Sequence, residues 1–174
     1  MTAKTFLNGI AHDAQDILGR FLSILETVGA RYCVIGGLAV NAYVDPVVSL
    51  DLDVVTASDD TSGVCDAATK AGLTVERFEH SMNLSSKDSD LRIQLQTDVR
   101  YQSFLPRAVV KEVLGYSMRV ACIEDVLQGK VWAYSDETRR RSKRQKDLAD
   151  IMRLVETYPE LHRLLPENLQ KLTD

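Results

Sequence analysis

The chain has 174 residues, 45% of them hydrophobic and 26% charged, with a formal net charge of −4, which is ordinary for a single globular domain. A chain of this length buries roughly 70% of its unfolded surface, so it needs neither disulfides nor a metal ion to hold its core. The three cysteines are widely spaced, and the charge-free segment 32–44 is too short to cross a membrane. Composition therefore argues against membrane, secreted and disordered classes, and we expect a reducing, cytoplasmic setting.

Hydrophobic periodicity predicts helices and strands along the whole chain, with no internal repeat, low-complexity tract or long linker. Gly29 and Gly72 are typical helix stops, and Pro46 disfavours helix in the residue before it. In chain order we predict helix over 11–28, strand over 32–35, helix over 38–43, strand over 50–56, helix over 61–71, strands over 73–85, 91–97 and 118–122, and helices over 123–134, 146–157 and 160–165.

This order of elements predicts an α+β fold. The core, residues 1–122, would consist of an N-terminal helix and a β-sheet. Residues 123–174 would form a C-terminal helical part that packs on the core within the same globular unit.

The strongest chemical signal is a pair of aspartates, Asp51 and Asp53, in a strand of alternating pattern. Side chains two apart on a strand point to the same face, which we expect to be wet. Two bare carboxylates there would repel and raise each other's pKa. A hard divalent cation removes that cost, and Mg²⁺ favours one or two carboxylates together with phosphate oxygens. The pair therefore predicts a Mg²⁺ site.

A glycine pair, Gly36-Gly37, precedes the aspartates at a predicted strand-to-helix turn. Glycines there let backbone N–H groups approach a phosphate closely, and the helix that follows offers its positive end. Alone, each motif is better explained by a simple turn or an exposed strand edge, because short motifs often occur by chance. Together they favour phosphoryl or nucleotidyl transfer, in which catalysis consists mostly of positioning and charge neutralisation.

Two segments carry a resemblance to known families. YCVIGGLAVNAY followed by SLDLDVV resembles the signature of the nucleotidyltransferase superfamily: a hydrophobic strand, Gly-Gly or Gly-Ser, then Asp-x-Asp on the next strand. LQGKVWAYSDETRRRSKRQKDLADIMRL resembles the C-terminal motifs of AbiEii/AbiGii-type nucleotidyltransferase toxins. The resemblance implies a nucleotidyltransferase-like mixed β-sheet flanked by helices. It also implies transfer of a nucleoside monophosphate from an NTP, with Mg²⁺, to an acceptor hydroxyl such as that of a tRNA, by a toxin with a cognate antitoxin.

The resemblance also assigns roles. Gly36 and Gly37 would hold the triphosphate, Asp51 and Asp53 would bind Mg²⁺, Lys130 would contact phosphate, and Asp147, together with Asp150, would complete the site. The two later aspartates share a helix edge, and the lysine could extend its ammonium group from an otherwise apolar helix into a cleft. A surface lysine and acids placed by the helix dipole are the simpler alternative.

One position departs from the family pattern. Many members of the superfamily place a third carboxylate on a later strand, where this chain has Gln94 or Gln96. A glutamine brings no negative charge and cannot act as a base. Three alternatives follow: a single well-held Mg²⁺, a base recruited from elsewhere such as Asp147, or a degenerate site that binds without catalysing.

Six of the eight residues 139–146 are Lys or Arg. Such runs are often solvated helix starts, but beside a triphosphate site this one could bind nucleotide phosphates or an RNA backbone. We take Arg141, Arg144 and Lys146 as candidate nucleotide ligands. Two other functions stay open: a non-catalytic nucleotide- or RNA-binding module, and a nucleotidyltransferase acting on a small molecule such as an aminoglycoside.

Overall fold

Seven strands form one mixed sheet in the computed structural model, which describes residues 1–173. The strands are β1 (Tyr32–Ile35), β2 (Asp51–Thr56), β3 (Thr74–Arg77), β4 (Ser81–Ser85), β5 (Arg92–Gln96), β6 (Val109–Val113) and β7 (Tyr116–Val120). The α-helices are α1 (Ala3–Ile10), α2 (Ile17–Thr27), α3 (Gly36–Val40), α4 (Thr61–Lys70), α5 (Ile123–Ser135), α6 (Arg141–Thr157) and α7 (Glu167–Thr173). Two 3₁₀ helices cover Val99–Arg107 and Pro159–Leu164.

The sheet has the order β3-β4-β5-β2-β1-β7-β6. β2 pairs antiparallel with β1 and parallel with β5, and β1 pairs parallel with β7. The register places Asp53 opposite Gln94 and Gln94 opposite Asn83. Directly opposed residues on neighbouring strands share a face, so these three side chains form a polar row across β2, β5 and β4.

The two faces of β2 differ. Leu52 and Val54 point to one face and are fully buried. Asp53 points to the other, where it shares a cavity with Lys130 of α5 and Asp147 of α6. The expectation of a wet strand face holds in part: Asp51 and Asp53 are half-buried and Gln94 beside them is exposed, whereas Val55 on the same face is fully buried. No helix within residues 1–173 combines the length and apolar character needed to span a membrane.

The predicted helix over 11–28 is wrong at its N-terminal end, because residues 11–16 form a turn and α2 begins only at Ile17. The buried side chain of Asp13 accepts a hydrogen bond from the backbone N–H of Ile17 at 2.8 Å. Asp16 adopts a positive φ of 53° and caps the same helix. Aspartate side chains that bond nearby backbone groups compete with continuous helix, so the chain turns at these residues.

Other boundaries also differ from the prediction. The strand expected over 73–85 breaks into the β3–β4 hairpin, because Phe78 N–H donates to Ser81 O and closes a turn. The helix expected over 38–43 already begins at Gly36, and the helix expected over 146–157 begins at Arg141. The strand predicted over 118–122 is β7, which begins and ends two residues earlier. The helix predicted over 160–165 is the 3₁₀ helix Pro159–Leu164. α1, β6, α7 and the 3₁₀ helix Val99–Arg107 were not predicted.

Candidate functional site

The turn from β1 to α3 forms the first part of the site. Gly36 has a φ of 71°, in the left-handed region that favours glycine. A Cβ here would collide with Asp53 Oδ2, because the register sets Ile35 opposite Asp53. A Cβ at Gly37 would lie 3.5 Å from Ser49 Oγ, an ordinary contact. Only Gly36 is therefore demanded by the turn and by the aspartate beside it.

We expect Gly36→Ala to destabilise the protein by at least about 1–2 kcal/mol, since the left-handed backbone is strained for any residue with a Cβ. The same substitution should displace Asp53 and lower any activity that depends on it. Gly37→Ala is the matched control and should unfold at nearly the wild-type urea concentration. Equal unfolding midpoints for the two variants would contradict this account of the turn.

Asp51 and Asp53 project from the start of β2 toward α6. Asp51 is 30% exposed at its side chain; its Oδ1 lies 3.0 Å from Arg92 Nε and its Oδ2 lies 3.4 Å from Lys143 Nζ. Burial raises the pKa of Asp53, and the neighbouring Asp51 carboxylate raises it further, against the opposite effect of Lys130 and other nearby cations. Asp51 is therefore held by two cations, whereas burial and the neighbouring carboxylate disfavour the charged form of Asp53.

This donor set fits Mg²⁺. Two carboxylates on one strand face, with room for phosphate oxygens and water, match the sparse protein ligation that this ion accepts. Within residues 1–173, no group of three or more His, Cys, Asp or Glu side chains could hold a metal ion. The protein part of such a site would thus consist of Asp51 and Asp53.

Lys130 of α5 borders the same cavity and is only 6% exposed. Its Nζ lies 3.0 Å from Asp147 Oδ1 and 2.7 Å from Asp150 Oδ2. Burial lowers the pKa of the Lys130 ammonium group, but Asp150 and Asp147 outweigh burial and raise it above its ordinary value. The ammonium group is therefore held charged at neutral pH, in a fixed position.

Two arginines extend this network. Arg139 Nε lies 2.7 Å from Asp147 Oδ2, and Arg153 Nη1 lies 2.8 Å from Asp150 Oδ1. Both oxygens of Asp147 thus contact a cation. These contacts favour a positioning role for Asp147, which orients Lys130 and Arg139, over its predicted use as a recruited base.

Two adjoining cavities bring the predicted residues together. The first has about 100 Å³, and its lining includes Gly36, Asp53, Gln94, Gln96, Lys130, Arg139 and Asp147. The second has about 200 Å³, shares three of these residues and adds Asp51, Asn83, Arg92 and Lys143. The glycine turn, the aspartate pair and the Lys130 network therefore meet in one cleft, although they come from distant parts of the sequence.

The other predicted residues lie around this cleft. Gln94 is directly beside Asp53 in the sheet, so an amide stands next to the aspartate. Asp150 lies behind Lys130 and lines neither cavity. Arg144 donates to Tyr134 O at 2.7 Å. Arg141 and Lys146 are exposed on α6. Neither they nor Arg144 line the two cavities, and their role as nucleotide ligands stays a prediction.

Asn83 and Arg92 were not predicted as site residues. Asn83 Oδ1 is buried and has no hydrogen-bond partner within the described part of the chain, although such atoms are normally paired. Asparagine is depleted in strand interiors, so its presence in a predicted strand was the one sign in the sequence that Asn83 has a special role. Only the pairing of β4 with β5 shows that this residue faces the aspartates. Arg139 and Lys143 belong to the predicted basic run, and the start of α6 places them, rather than their neighbours, in the cleft.

A comparison with models of known protein families found no match, and a comparison with curated proteins found no similar sequence. Solved structures do match. ANT(2″)-Ia in complex with adenylyl-2″-tobramycin matches with a TM-score of 0.62 and 14% identity, over 90% of this chain and 94% of that chain. The lincosamide antibiotic adenylyltransferase LnuA, bound to lincomycin, matches with a TM-score of 0.57 and 12% identity, over 81% and 98% respectively.

A third match is an antigenic nucleotidyltransferase-like protein from Paracoccidioides brasiliensis, with a TM-score of 0.54 and 17% identity, over 89% of this chain and 83% of that chain. At these identities the likeness concerns the fold. It confirms the predicted fold class, an α+β nucleotidyltransferase-like mixed sheet flanked by helices. The resemblance to the AbiEii/AbiGii-type branch stays a prediction.

Proposed function

We propose that this protein is a nucleotidyltransferase that moves a nucleoside monophosphate from an NTP to a hydroxyl group of an acceptor. The convergence of Gly36, Asp53 and Lys130 on one cavity, with Asp51 in the adjoining one, carries the proposal. These groups supply close backbone approach, paired carboxylates and a buried cation, which a phosphate-transfer site requires. The shared fold with two proteins described as adenylyltransferase and nucleotidyltransferase-like supports the same class.

In the proposed reaction the acceptor oxygen forms a bond to the α-phosphorus, the bond to the bridging oxygen breaks, and pyrophosphate leaves. The acceptor proton passes to a base or to water. Asp51 and Asp53 would hold Mg²⁺, which when bound neutralises phosphate charge. Lys130 would supply a preorganised positive charge to the phosphates, and Arg139 and Lys143 would bind the departing pyrophosphate through charge-assisted hydrogen bonds.

We propose an RNA acceptor, such as the end of a tRNA, and a role as the toxin of a toxin–antitoxin pair in the cytoplasm. The cations Arg92, Arg139 and Lys143 line the cleft, and the start of α6 continues this charge on an exposed surface. Such a surface favours a polyanion and disfavours a polycationic aminoglycoside.

A small-molecule acceptor is the second candidate. Two structures that share the fold hold antibiotic ligands, adenylyl-2″-tobramycin and lincomycin. An uncharged or weakly charged polyhydroxylated compound would suit the amides of Gln94 and Asn83, which can donate and accept hydrogen bonds without bringing charge.

The experiment that separates these candidates supplies each α-³²P-labelled NTP, with Mg²⁺, to a total tRNA pool, to tobramycin and to lincomycin in parallel. We expect label in the tRNA fraction and none in the antibiotics. Label in an antibiotic would support the second candidate. NTP binding by calorimetry without transfer to any of the three would instead point to a degenerate site that binds without catalysing.

A further inference from the structure

Asp51 is the one predicted metal ligand whose two carboxylate oxygens both lie against cations. Arg92 Nε is 3.0 Å from Oδ1, and Lys143 Nζ is 3.4 Å from Oδ2. Both side chains line the same cavity as Asp51 and Asp53. A divalent cation ligated by this carboxylate would meet two positive charges within a few ångströms, and that repulsion must be removed before the ion can bind tightly.

Lys143 is better placed than Arg92 to leave. Its ammonium group lies at the longer of the two distances from Asp51. Arg92 has the more exposed side chain, 69% against 41%, but the register of β2 and β5 places it directly opposite Asp51, which keeps it beside the carboxylate. Lys143 belongs to the first turn of α6, so its flexible four-carbon stem can swing the charge without moving the backbone. Arg139 precedes the same helix and lines both cavities. A rotation of the Lys143 side chain along α6 would therefore bring its ammonium group to phosphates that lie between Lys143 and Arg139.

We propose that Lys143 is a switching cation: it neutralises Asp51 when no phosphate is present and transfers to the phosphates of an incoming nucleotide, which frees Asp51 for the divalent cation. The inference rests on the proposed function, since it assumes that a nucleotide binds in this cleft. Lys143 thereby couples the two ligands, so that divalent cation alone binds weakly and the cation and nucleotide bind together. No bond is made or broken in this step.

The test measures binding and needs no acceptor. Mn²⁺, which favours the same oxygen ligands as Mg²⁺, is titrated by electron paramagnetic resonance with and without the non-hydrolysable analogue α,β-methylene-ATP. For Lys143→Gln we expect Mn²⁺ alone to bind about three- to fivefold more tightly than to the wild type, because the competing charge is gone. In the same variant the analogue should bind about tenfold more weakly in the presence of Mn²⁺.

Two further variants separate this role from general charge effects. Lys87→Gln removes an exposed lysine from the turn after β4, near the Arg92 end of β5, and should leave both affinities at the wild-type value. Lys143→Arg keeps the charge and should restore weak binding of Mn²⁺ alone. Thermal unfolding of each variant checks that the fold is retained.

The proposal requires that Lys143→Gln strengthen the binding of Mn²⁺ alone and weaken the binding of the analogue. Weaker analogue binding by Lys143→Gln with unchanged Mn²⁺ affinity would overturn the switch and leave an ordinary phosphate ligand. Tighter Mn²⁺ binding by Lys87→Gln as well would overturn it in favour of a diffuse charge effect. If the wild type binds no analogue even with Mn²⁺, the proposed function itself fails, together with this inference.

Discussion

Replacing Asp53 by asparagine should reduce nucleotidyl transfer by at least about a hundredfold to a thousandfold. The amide keeps the shape of the side chain but removes one of the two charges on the strand face where Asp51 and Asp53 project. The other acids that line the two cavities are Asp51 and Asp147. Asp147 is already paired with Lys130 and Arg139, so it cannot replace the lost charge. Initial rates of label transfer from α-³²P-labelled NTP measure the effect.

Asp66→Asn is the matched control for this loss. Asp66 lies on an exposed position of α4, away from the cleft, and its substitution should leave the rate within twofold of the wild type. Transfer by the Asp53 variant at more than about a tenth of the wild-type rate would show that the aspartate pair does not supply the chemistry.

Replacing Lys130 by methionine should destabilise the protein by about 3–5 kcal/mol. Methionine fills a similar volume, but Asp147 and Asp150, which are 2% and 5% exposed, then keep buried negative charge with one fewer cation. Urea unfolding at pH 7 measures the loss. Lys171→Met, which removes an exposed ion pair with Glu167, is the control and should cost less than about 1 kcal/mol.

The pH dependence of the Lys130 effect follows from the direction of its pKa shift. Since the pKa is raised in the folded protein, the ion pairs stabilise fully below the unfolded-state pKa of about 10.4. This stabilisation is lost as pH rises through the folded pKa. The difference between wild type and Lys130→Met should therefore be constant from pH 7 to 10 and shrink above that. A difference that shrinks between pH 7 and 9 would contradict a charged, carboxylate-paired lysine.

The parts of the site that were predictable from the sequence are local. A short segment is enough to predict Gly36, because a left-handed turn favours glycine. It is also enough to predict the pair Asp51 and Asp53, because strand alternation places residues i and i+2 on one face. Lys130 and Asp147 followed from a resemblance. That they meet each other and the aspartates depends on how α5 and α6 pack against each other and against α3, which lies beside β2, and no local pattern specifies this packing.

The parts that were missed depend on pairing between distant strands and on exact helix starts. Asn83 reaches the site only because β4 pairs with β5 in the register that sets it opposite Gln94. Lys143 reaches Asp51 only because α6 begins at Arg141, and the polar residues of its first turns concealed that start. Likewise, Asp13 and Asp16 delay to Ile17 the start of a helix that hydrophobic spacing alone placed at residue 11.

The measurement that tests the central claim most directly compares two labels on the same nucleotide. The wild-type protein is incubated with Mg²⁺, the acceptor pool, and NTP labelled with ³²P at either the α- or the γ-phosphate. Nucleotidyl transfer predicts that the α-label enters the acceptor, while the γ-label is released as pyrophosphate and never enters it. Incorporation of the γ-label, or of neither label with any of the four nucleotides, would contradict the assignment of this cleft to nucleotidyl transfer.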